Sequence, residues 1–198
     1  MSSLVDMLTG ALGGQLGKVS RQLGSDENTT KSAAEAAIPM ILGALSRNAS
    51  KGDGAESLLK ALSKDHDGSV LDNPSAVLDN PASSAGDGIL RHVLGSRRPA
   101  VEAGISQSSG LDTRSTAQLL TMLAPMVMGA LGKTQRQGDL DSKGLSRVLG
   151  SEAQQLQSAQ PQAMGLLTGI LDADGDGDVD LGDIAKKGLG ALGKFLSK

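Results

Sequence analysis

The sequence predicts an all-α fold. Three observations carry this expectation. Apolar residues recur every three or four positions through most of the chain, which lines one face of a helix. No alternating apolar pattern is long enough for a strand. Two helical segments repeat one another at a constant offset.

The first segment shows the periodicity. Leu4, Leu8, Leu12, Leu16, Val19 and Leu23 share one face of an expected helix, and Gly24 is placed to stop it. Gly10, Gly13, Gly14 and Gly17 fall inside that helix, each costing roughly 1 kcal/mol relative to Ala. Close approach of another helix is one reason to keep them, and a marginal helix is the other reading.

The repeat follows. Ile38-Pro-Met-Ile-Leu-Gly-Ala-Leu45 matches Ala124-Pro-Met-Val-Met-Gly-Ala-Leu131, so Pro39 and Pro125 stand 86 positions apart. At the same offset Thr30 meets Thr116, Gly52-Asp53 meets Gly138-Asp139, and Leu59 meets Leu145. Each unit is expected to hold a long helix bent at its internal proline, which removes a donor and crowds the preceding turn. A shorter helix should follow the Gly-Asp turn, with Asp53 and Glu56 as a capping box in the first unit.

Residues 65–88 are rich in Asp, Ser, Pro and Gly and read as a connector. Ile89 to Leu94 then reads as a short helix ended by Gly95, and Pro99 opens the next helix. The expected organisation is a first helical unit over 1–64, the connector over 65–88, a second unit over 89–157, and a helix–loop–helix over 158–198.

That last part carries the sharpest chemical signal. Residues 172–183 read Asp-Ala-Asp-Gly-Asp-Gly-Asp-Val-Asp-Leu-Gly-Asp. A calcium loop of the EF-hand type places oxygen ligands at positions 1, 3, 5, 7, 9 and 12, with a glycine at 6 for the turn. Asp172, Asp174 and Asp176 would supply side-chain oxygens, and Asp178 its backbone carbonyl. Asp180 would act directly or through water, and Asp183 would close the shell. Asp183 is one methylene shorter than the usual Glu, as in dockerin-type loops. This favours a lower coordination number and leaves magnesium as an alternative occupant. The competing reading is a solvated acidic linker, although six crowded aspartates repel one another and a linker needs no such spacing.

A reduced copy of this pattern stands at Asp65-His-Asp-Gly-Ser-Val70, where positions 1 and 12 become Ser63 and Pro74. With both end ligands lost, a turn held by Asp-to-backbone hydrogen bonds is expected, with His66 exposed. Behind the acidic segment, Ile184, Leu189, Leu192, Phe195 and Leu196 oppose Lys186, Lys187, Lys194 and Lys198 on a helical wheel. This cationic amphipathic pattern suits either packing on the protein or an anionic membrane surface.

Composition narrows the function classes. Cysteine is absent, which removes disulfides, thiolate catalysis and Cys-based zinc sites. Phe195 is the only aromatic residue, so bases have no stacking platform, and a nucleic-acid partner is not expected. The acidic segment accounts for more than the whole net charge of −3, which leaves the rest mildly basic with dispersed Lys and Arg. Only two histidines occur, His66 and His92; His92 is expected as a partly buried packing residue. No Gly-x-Ser-x-Gly elbow and no phosphate-binding glycine loop is present, so an enzyme is not expected.

The chain resembles the bacterial YidB-like family of domains of unknown function. The resemblance rests on Asp65-His-Asp-Gly-Ser-Val-Leu-Asp72, Ile89-Leu-Arg-His-Val-Leu-Gly95 and Ala124-Pro-Met-Val-Met-Gly-Ala-Leu131, and extends from about residue 4 to about 150. It implies an all-helical fold and a bacterial source, and it brings no activity or catalytic residue with it.

The expected function is therefore a non-enzymatic calcium-binding interaction or structural module. A protein that associates with membrane surfaces through residues 184–198 is the alternative, and a hydrolase with an unrecognised site is the second. The expected partners are a divalent cation together with a protein, a second copy or a membrane surface. No basic region precedes an apolar stretch at the start and no run of 18 apolar residues occurs, which favours the cytoplasm and leaves non-classical export open.

Overall fold

The computed structural model describes residues 3–79 and 85–159. These residues are helical almost throughout, and no strand occurs among them.

The first segment forms two helices, not one. Helix α1 (Leu4–Gly13) starts at a capping box in which Ser3 accepts from the Asp6 N–H and Asp6 accepts from the Ser3 N–H. Leu4, Leu8 and Leu12 are its buried face. The chain breaks at Gly14, and α2 (Leu16–Leu23) ends at Gly24 in the left-handed region, φ 65°. No heavy atom lies within 4 Å of a Cβ built on Gly10, Gly13 or Gly14. Close helix approach therefore does not explain these glycines. The low helix propensity of the Gly13-Gly14 pair is the physical reason for the break.

Helix α3 (Glu27–Ala49) begins at Asp26, whose carboxylate accepts from the Thr29 N–H at 2.9 Å. It is followed by α4 (Gly54–Asp65). Asp53 occupies the N-cap of α4 without making a side-chain cap bond, so the expected capping box with Glu56 does not form. Its backbone, at φ −91° and ψ 12°, is not the extended conformation that aims a cap side chain at the helix N–H groups.

Two single-turn helices, α5 (Ser69–Asp72) and α6 (Ser75–Leu78), cross the expected connector, and Leu78 is buried. Helix α7 (Gly86–Leu94) ends at Gly95. A short 3-10 turn (Gly95–Arg97) leads into α8 (Arg98–Ser109), which carries Pro99 in its first turn. Gly110, φ 79°, ends α8. Asp112 then caps α9 (Thr113–Gln137), accepting from the Ser115 N–H at 3.0 Å. The last described helix is α10 (Ser142–Ala159).

Helices α3 and α9 are central. Helix α9 packs against α1, α3, α7 and α8, while α3 also packs against α2, α8 and α10. Their internal prolines, Pro39 and Pro125, are buried. Side chains from α1 through α10 join one apolar cluster built from Leu, Ile, Val, Met and Ala. At the 86-residue offset, Gly24 and Gly110 are both left-handed, and Asp26 and Asp112 both cap. Thr30 and Thr116 are both fully buried. Helix α9 is long and apolar enough to cross a membrane by length and composition, yet 83% of that window is buried inside the fold. A central core helix meets the same description.

The outer helices close on each other as well. The Leu4 N–H donates to Glu152 Oε1 at 3.3 Å, joining the start of α1 to α10. Burial pushes the Glu152 carboxyl above the usual range; Asp6 adds to this and the Leu4 hydrogen bond opposes it.

Candidate binding groove

Glycine contacts set the positions of the walls. A Cβ on Gly54 would stand 2.0 Å from the Asn48 carbonyl oxygen, so α4 starts hard against the end of α3. A Cβ on Gly86 would stand 2.0 Å from the Thr121 carbonyl oxygen. That carbonyl lies four residues before Pro125, which has no N–H to offer it. Helix α7 thus starts where α9 has an open acceptor. Asn48 Nδ2 donates to the carbonyls of Val93 at 3.0 Å and His92 at 3.4 Å. These are carbonyls that the end of α7 leaves without helical donors, so α3 and α7 are tied together.

Between these contacts runs an apolar groove of about 690 Å³. Helix α3 contributes Leu45 and Ala49, α4 contributes Leu58 and Ala61, α7 contributes Ile89 and Val93, and α9 contributes Met128. The polar lining consists of Asn48, Lys51, Ser57, His66 and His92. Its volume falls within the range of about 300–1,000 Å³ typical of small-molecule sites.

Both histidines of the chain line this groove. His66 is half-buried, not exposed as the sequence suggests. Desolvation holds its imidazole below the ordinary value, with Asp65 opposing. His92 is exposed, not a packing residue. Its Nδ1 lies 2.9 Å from the Gly88 carbonyl oxygen. A carbonyl only accepts, so this bond requires the proton on Nδ1 and leaves Nε2 for other partners.

The 65–72 segment forms a turn of the expected kind. Asp67 Oδ1 accepts from the Ser69 N–H at 3.0 Å and from its hydroxyl at 2.6 Å. These bonds hold the Asp67 carboxyl below the usual range. Arg136 donates to the Asp67 carbonyl at 2.8 Å, which ties the turn to α9. The fit is close: a Cβ on Gly132 would meet the His66 carbonyl oxygen at 1.8 Å, and one on Gly129 would meet Val70 Cγ1 at 2.2 Å. These contacts place His66 at the groove.

The six expected metal ligands, Asp172, Asp174, Asp176, Asp178, Asp180 and Asp183, lie outside the described residues, as does the 184–198 segment. Among the described residues no group of three or more His, Cys, Asp or Glu is placed to hold a metal ion. What the described arrangement offers chemically is an apolar binding surface with basic and neutral polar groups at its edges. The sequence does not announce it, because its walls come from four helices whose apolar residues each look like ordinary core. Gly54 and Gly86 are the only local hints, as markers of close approach.

Residues 6–134 match the model of a family described as "Bacterial protein of unknown function (DUF937)". The span includes every residue that lines the groove and ends before α10 and the acidic segment. No curated protein matches the chain, and no solved structure matches it.

Proposed function

The chain belongs to the DUF937 family of bacterial proteins, and on that premise we propose that it is a non-enzymatic binding module in which a helical body is joined to a calcium-binding segment. The observation that carries the calcium reading is the spacing of Asp172, Asp174, Asp176, Asp178, Asp180 and Asp183 around Gly177. It matches the ligand register that a hard cation with six to eight oxygen ligands demands. The helical body supports the interaction half of the reading through its apolar groove. Kinship with the YidB-like proteins is part of the same proposal, since the three segments that suggest it fall within the matched span.

The test is titration calorimetry with calcium and with magnesium on wild type, Asp172→Ala and Asp176→Ala. Saturable calcium binding that both substitutions weaken is expected. Absence of heat at millimolar calcium, or equal binding by the variants, would refute the calcium reading.

A further inference from the structure

We draw no further inference here: the strongest candidate, the apolar groove walled by α3, α4, α7 and α9 with His66 and His92 on its lining, is an open face, and nothing in the structure shows what covers it.

Discussion

Gly86 sits against the carbonyl oxygen of Thr121, the acceptor that Pro125 leaves without a helical donor. An added Cβ would lie 2.0 Å from that oxygen, and the obstacle is backbone that cannot turn aside. Gly86→Ala should destabilise the protein by about 1–3 kcal/mol, the usual cost of overpacking. Gly88, two residues further along the same helix, has nothing within 4 Å of its Cβ position. Gly88→Ala should stabilise by up to about 1 kcal/mol through helix propensity. Urea unfolding of both variants checks the pair, and equal shifts would mean that the close contact is not present.

Thr30 and Thr116 make a second contrast. Both are fully buried. Thr116 donates to the Asp112 carbonyl at 2.9 Å, whereas Thr30 Oγ1 has no hydrogen-bond partner. Thr30→Val should raise stability by about 1 kcal/mol, because it removes an unpaired buried hydroxyl. Thr116→Val should lower it by about as much through the lost bond. Thermal unfolding distinguishes the two, and a loss in Thr30→Val would show that its hydroxyl is satisfied.

The helix caps predict a pH effect in the carboxylate range. Asp112 is held below the usual range, first by the Ser115 hydrogen bonds. Its contribution is present above the unfolded value and lost as pH falls through the folded one. Asp112→Ala should therefore lower the melting temperature at neutral pH and change it less in acid. Asp53 makes no side-chain cap bond, so Asp53→Ala should lower the melting temperature at neutral pH by less than Asp112→Ala does.

His66 has the opposite charge type. Desolvation lowers its folded value below the ordinary one of 6.5, so the unfolded chain binds the proton more readily. The stability it confers is complete above the unfolded value and falls as pH drops below about 6.5 toward the folded one. The nearby Asp65 opposes the shift. His66→Gln should flatten the stability profile across that window. A variant with an unchanged slope would assign the dependence elsewhere.

The all-α class was legible in the sequence because helical periodicity is a local signal, and so were the helix stops at Gly24 and Gly95. The break at Gly14 was harder to foresee, since the apolar stripe runs straight past it from Leu12 to Leu16. The Asp53–Glu56 pairing had the right spacing but the wrong backbone, and conformation decides whether a cap side chain can reach. The two histidines were misjudged for a different reason. The surroundings of His66 are set by Gly132 on α9, which no local window contains, and the exposure of His92 follows from how α7 sits on its neighbours. The acidic segment was the loudest signal in the chain, and it lies outside the described residues.

The hydrogen bond from Leu4 to Glu152 has a consequence in time. Its partners are separated by 148 positions, so α1 cannot reach its final seat until nearly all of the body has left the ribosome. At synthesis rates of about 5–20 residues per second, that wait lasts roughly 7–30 s. During it the Leu4, Leu8 and Leu12 face has no finished surface to cover it. The nascent chain thus passes through an interval in which the apolar face of α1 stands without its final cover.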